Sequence, residues 1–241
     1  MSGKRRARLA CALALAAAAA GAYALAGETS VFAVQSIDVR GAPPVVAAEV
    51  RVALASYRGR SLVGLDGRAL ERRVEALPTV FAVSYDRAFP HTLRLVVRAE
   101  RAAAVLRQRN AAWLVSARGR VIKPLRPGTV RDLPRIWIPS SVTVTRGGTL
   151  PLTGGGGAAR ALGRLARSGF PDRVDSATAT HGEVVLQLRS GLAVRLGRPV
   201  DLALKLAVAQ GLVPRLGAGE RYLDVSVPGR PVAGGDPKVS G

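Results

Sequence analysis

The chain has 241 residues, 48% of them hydrophobic, which suffices for one or two packed domains and excludes a disordered tail. Thirty-six Lys and Arg against sixteen Asp and Glu give a formal charge of +20, which bears on partners and solubility rather than on fold. A single Cys, Cys11, excludes an internal disulfide, and two distant His, His91 and His181, offer no paired spacing for zinc, so no metal or other cofactor is expected.

Lys4, Arg5, Arg6 and Arg8 precede an uncharged run over residues 9–26. As a helix that run would be about 27 Å long, close to the hydrocarbon thickness of a bilayer. It predicts a single membrane span through the lipid bilayer, with the basic tail, residues 1–8, in the cytoplasm and the rest outside. A second reading stays open. The run holds eleven Ala and only four Leu, and Ala24-Leu25-Ala26 fits a small-x-small signal cleavage site, which would make the protein a secreted envelope component. Both readings export everything after Gly27. No later run matches this one, so the chain crosses a membrane once at most.

Beyond the run, Ile37 and Val39 alternate with polar residues over 36–40, a short strand ended by Gly41 and the Pro43-Pro44 pair. Val46, Val50, Ala53 and Leu54 then fall at helical spacing. Asp66 can cap a second helix whose Leu70, Val74 and Leu77 form one stripe closed by Pro78. The period changes to two over residues 80–87 and 92–99, a hairpin connected by Phe89, Pro90 and His91. Strand, helix, helix, strand, strand is an α+β layer with helices on one side of a small sheet.

From residue 103 onward short β-prone pieces dominate: 103–107, 113–116, 121–122 and 135–138. Residues 143–157, rich in Thr and Gly, read as a loop or weak hairpin before a helix over 158–168. Residues 184–189 and 192–196 flank the turn Ser190-Gly191. A further helix carries Leu202, Leu206 and Ala209, and a last strand spans residues 222–227, stopped by Pro228 and Gly229. Residues 231–241, with Pro231, Gly234, Gly235 and Pro237, should be a loose tail.

Several strings in this order resemble the FtsQ/DivIB division proteins of bacteria. Ile37-Asp38-Val39-Arg40-Gly41, Leu77-Pro78-Thr79-Val80, Phe89-Pro90-His91-Thr92-Leu93 and the Glu100-Arg101 pair are similar to the family's POTRA unit. Trp113-Leu114-Val115, Leu133-Pro134, Leu196-Gly197 with Lys205-Leu206, and Tyr222-Leu223-Asp224-Val225 are similar to its following β domain. The resemblance implies a POTRA-like domain over 32–101 and a β-rich domain over 102–230. It also implies a non-catalytic scaffold of the division septum in the cell membrane. The partners implied are other single-span divisome proteins, especially the coiled-coil FtsB/DivIC and FtsL type. The secreted alternative keeps the POTRA-like unit as a dock or chaperone for exported proteins.

The sharpest mechanism for partner binding is strand addition to an unpaired sheet edge. A terminal strand is the natural candidate, which selects Tyr222, Leu223, Asp224, Val225, Ser226 and Val227, with Lys205 on the helix bordering them. Gly154, Gly156 and Ala159 form G-x-G-x-x-A with Asp175 downstream, but no strand leads into the glycines, so a loop is expected rather than a nucleotide site. No G-x-S-x-G or S-x-x-K string places a nucleophile beside a base, so no enzyme is expected. Export, scattered arginines and ten aromatics argue against nucleic acid. The positive exterior suits anionic envelope polymers or lipid headgroups instead.

Overall fold

The computed structural model describes residues 30–126 and 128–235. The span expected at 9–26, and with it the choice between anchor and cleaved signal, lies outside the described residues. Among those described, no helix is long and apolar enough to cross a membrane. The chain divides into two compact units between Ala99 and Glu100.

In the first unit, β1 (Ser36–Arg40) leads to α1 (Pro44–Ala53), where Pro44 occupies the first helical position and its fixed φ favours the turn. A 3₁₀ turn over Ala55–Tyr57 follows, then α2 (Gly67–Glu75). The Asp66 carboxylate caps α2 by accepting the Ala69 N–H at 3.0 Å, as its sequence position predicts. A hairpin of β2 (Val80–Ala88) and β3 (Thr92–Ala99) completes the unit. The sheet order is β1-β3-β2, with β3 parallel to β1 and antiparallel to β2. Central β3 turns Leu93, Leu95 and Val97 inward, each 0% exposed, against Val46, Val50, Leu70 and Val74 of the helices. The expected order of elements and both helical stripes are therefore present.

The second unit is built on one nine-stranded sheet. Its strands are β4 (Ala102–Gln108), β5 (Ala111–Ser116), β6 (Val121–Leu125), β7 (Arg135–Trp137), β8 (Val174–Thr180), β9 (Glu183–Leu188), β10 (Ala193–Gly197), β11 (Tyr222–Asp224) and β12 (Val232–Gly234). They lie in the order β12-β11-β10-β9-β8-β7-β4-β5-β6. The pairs β4–β7, β7–β8 and β10–β11 are parallel and the others antiparallel. Helices α3 (Gly156–Ser168) and α4 (Leu202–Leu212) supply the apolar cover.

Register explains where the core sits. Leu106, Ile136, Ala177, Leu186, Val194 and Leu223 stand directly opposite one another across six strands. All six are buried and pack with Leu162, Leu165, Leu202 and Leu206 of the two helices. Because side chains alternate across a strand, the rows on either side of this one point to the opposite face. The adjacent row runs Arg107, Trp137, Thr178, Val185, Arg195, Asp224 and Val232, a mixed polar row with no helix against it among the described residues.

Three expectations change. Residues 154–157 are not a loop: Leu152–Gly154 form a 3₁₀ turn and α3 starts at Gly156, two residues earlier than the apolar stripe indicates. The Gly156 N–H donates to the Pro151 carbonyl at 3.0 Å, and a Cβ there would lie 2.5 Å from the Leu150 carbonyl oxygen, so the glycine serves a close approach of the chain's own backbone. The terminal tail is not wholly loose, since Val232–Gly234 pair with β11 as β12. Consequently the strand at Tyr222 is an interior one.

Asp172 braces the turn of the β9–β10 hairpin, its carboxylate accepting the Arg173 N–H at 2.6 Å and the Ser190 N–H at 3.2 Å. Partial burial raises its pKa, but the Ser190 side chain and backbone, the Arg173 N–H and the Arg189 charge outweigh that and hold it below the usual carboxylate value. A depressed folded pKa stabilises the fold above the unfolded pKa and loses that contribution as pH falls through the folded one. Asp172→Asn is therefore expected to lower the thermal midpoint at neutral pH, with the gap to the parent closing in acid. Melts across pH 2 to 7 check this, and a gap of constant size would remove Asp172 from the titration.

Candidate functional site

The candidate strand is built between two neighbours. Tyr222, Leu223 and Asp224 pair with Ala193, Val194 and Arg195 of β10 on one side and with Gly234, Ala233 and Val232 of β12 on the other. Beyond Asp224 the Val225 N–H still reaches the Arg195 carbonyl at 2.9 Å. Then the Asp224 carboxylate accepts the Ser226 N–H at 2.8 Å, a local bond that competes with the ladder and ends the strand. Ser226 and Val227 lie in the turn, where the Arg230 N–H donates to the Val227 carbonyl at 2.9 Å. The strand therefore stops three residues earlier than the apolar pattern through Val225 and Val227 indicates.

Side chains of the candidate segment divide by face. Leu223 and Val225, 1% and 0% exposed, belong to the helix-covered core. Tyr222 and Asp224 are half-buried on the open face, and Val227 is exposed. The Arg195 guanidinium lies 5.2 Å from the Tyr222 ring centre, a cation–π contact. Ring atoms of Tyr222 come within 3.0 Å of where a Cβ on Gly234 would stand, so the ring lies across β12 toward the sheet's end. Only glycine at position 234 permits this approach.

Lys205 is placed inside. Its residue is 3% exposed, and Nζ donates to the Leu196 and Arg198 carbonyls at 2.8 Å each. It binds α4 to the end of β10 and presents no cation to solvent at this edge. Of the seven residues singled out from the sequence, Tyr222, Asp224, Ser226 and Val227 retain solvent access, whereas Leu223, Val225 and Lys205 do not.

The edge itself is β12, which sequence reasoning missed. In an antiparallel pair the N–H and C=O of a residue point to the same side and alternate along the chain, so at least one of three successive residues directs both outward. No strand among the described residues covers that outer side of β12. Val232 is 54% exposed there. The opposite end of the sheet is β6, whose Pro124 lacks an N–H and blunts that edge against added strands. The signal for β12 was the Pro228-Gly229 turn followed by Val232, too short a segment for periodicity to register.

Residues 32–99 match the family model described as POTRA domain, FtsQ-type. Residues 104–226 match that described as Cell division protein FtsQ/DivIB, C-terminal. The chain is also similar to the curated "Cell division protein FtsQ" of Streptomyces collinus, 28% identical over an alignment of 251 residues that covers 97% of this chain and 90% of that protein.

Proposed function

The chain belongs to the FtsQ/DivIB family of cell division proteins, and from that premise we propose that it is a non-catalytic divisome scaffold whose β12 edge receives an extended segment of a partner. The single observation that carries this is a nine-stranded sheet that, among the described residues, is open at β12 and blunted by proline at β6. A strand added to β12 would gain main-chain hydrogen bonds from the ladder. Its selectivity would come from side chains beside Val232, Ala233 and the overlying Tyr222 ring. The partner class is the coiled-coil FtsB/DivIC type together with FtsL, and the site of action is the septal membrane, with residues 9–26 as the span.

The test uses the full chain and the FtsB/DivIC-type protein of the same genome. Ala233→Pro removes a ladder donor from β12, and no β12 side chain is buried, so the variant keeps its melting transition. Capture measured by co-purification and by titration is expected to weaken about tenfold, which corresponds to the loss of one or two hydrogen bonds. Undiminished capture by the folded variant places the interface elsewhere. Tyr222→Ala serves as the second variant, expected to weaken capture without breaking the ladder.

A further inference from the structure

The open face of the second unit's sheet carries a concavity of about 410 Å³, bounded by β4, β5, β7, the end of β6 and the connection from β6 to β7. Its floor follows from register. Val105 and Arg107 of β4 stand opposite Arg135 and Trp137 of β7, and Arg107 stands opposite Ala112 of β5, so all share the face that no helix covers among the described residues. Arg126 and Arg131 come from the connection. The only ionisable residues lining the concavity are these four arginines, and none of the four pairs with a carboxylate among the described residues. The Arg107 Nε is shut off from solvent and has no hydrogen-bond acceptor, while its guanidinium carbon lies 5.7 Å from the Trp137 ring centre.

Guanidinium groups gathered without counter-charge repel one another, and a buried N–H without an acceptor costs free energy. The repulsion is relieved when a compact, multiply charged acceptor enters. A lone carboxylate offers two coplanar oxygens, which one guanidinium saturates, whereas a phosphate or pyrophosphate offers oxygens in several directions to several guanidiniums at once. We propose that this groove is a binding site for phosphate oxyanions, with Arg107 and Arg135 holding the charge and the Trp137 ring packing on the sugar or hydrocarbon that bears it. Arginine presents the rigid fork such recognition uses, and the aromatic neighbour gives the site an apolar wall. The site is independent of strand addition at β12, five strands from β7 in the sheet order.

The test titrates the purified full-length chain with inorganic pyrophosphate, by calorimetry and by intrinsic fluorescence. Trp137 is 42% exposed in the groove, whereas Trp113 packs against the helix-covered core. Binding is expected to change the emission, and Trp137→Phe is expected to abolish that change while the calorimetric signal persists. The double variant Arg107→Gln/Arg135→Gln is expected to bind at least about tenfold more weakly. The charge-matched control Arg68→Gln/Arg72→Gln, two exposed residues of α2, is expected to bind within about twofold of the parent. Phosphatidylcholine vesicles with and without phosphatidylglycerol separate the sources: selective capture of the anionic vesicles, lost in the groove variant, assigns a lipid headgroup, and pyrophosphate binding alone assigns a soluble or polymer-borne phosphate. No pyrophosphate binding, equal weakening in both double variants, or tighter binding of a glutamate-rich peptide than of pyrophosphate would overturn the proposal.

Discussion

Replacing Lys205 by Met is expected to destabilise the fold by about 3 kcal/mol, the sum of two charge-assisted hydrogen bonds lost and two main-chain carbonyls, one buried and one part-buried, left with fewer donors. The side chain is almost wholly enclosed, and both Nζ bonds run to main-chain oxygens, of Leu196 and Arg198. Gly197, between these acceptors, is in the left-handed region with φ of 61°. Its missing Cβ admits the Ser226 side chain, whose Cβ would lie 2.8 Å from one placed on Gly197. Thus Leu196-Gly197 and Lys205-Leu206, two separate strings in the sequence, are one device: the glycine bends the end of β10 and the lysine bonds the carbonyls flanking the bend. Met keeps the volume and apolar stem but not the donors, so the loss isolates the ammonium. Chemical denaturation of Lys205→Met against Lys123→Met measures it. The exposed Lys123 should matter by no more than about 0.5 kcal/mol. If partner capture falls in Lys205→Met only as far as the folded fraction falls, the residue acts through the fold; a larger fall in folded protein would return it to the interface.

Gly156→Ala is expected to have the second largest effect, a loss of about 2–3 kcal/mol of stability from overpacking. Helix propensity alone argues the reverse, since Ala is favoured over Gly by about 1 kcal/mol inside a helix. Contact geometry decides the sign. The new methyl would stand 2.5 Å from the Leu150 oxygen and 2.8 Å from the Pro151 oxygen, and both are backbone atoms that cannot swing aside. Gly119 approaches from the other direction, its own Cβ position lying 3.1 Å from the Gly156 Cα. Thermal and urea unfolding of Gly156→Ala beside Gly211→Ala give the comparison, because Gly211 in α4 has nothing within 4 Å of its Cβ position and should gain from the same change. Equal gains at both glycines would mean that the first turn of α3 relaxes away from the Leu150-Pro151 backbone.

Much of this architecture is legible in the residues because the elements are long relative to their periods. The alternation in β3, the stripes of α1 and α2 and the Asp66 cap each state a local preference that packing then satisfies. The site was harder to read. Tyr222, Leu223, Asp224 and Val225 announce a strand, but whether a strand is an edge depends on what pairs with it, and the three residues of β12 carry too little pattern to show that pairing. The early helix start at Gly156 was hidden for a related reason. Glycine there is selected by the closeness of another piece of backbone, a tertiary fact that local propensity opposes. Lys205 is the same case in polar form, a charged residue whose place is set by two carbonyls at and just past the end of the strand before it. The four groove arginines, at 107, 126, 131 and 135, read as scattered charge along the chain and are assembled only by the strand order.

The three-residue strand β7 has a mechanical meaning. On one side of it lie β4, β5 and β6, on the other the five strands that end at β12, and β7 meets each group through three parallel residue pairs. The chain enters this unit at β4, so tension between that entrance and a load held at β12 crosses the sheet through β7, where each seam is three residue pairs long. Helix α3 packs on β4, β5, β8 and β9 and so lies as a splint across this short joint. The small residues that let α3 lie so close, Gly156, Gly163 and the alanines between them, thereby set how stiffly a pull at the β12 rim is transmitted to β4.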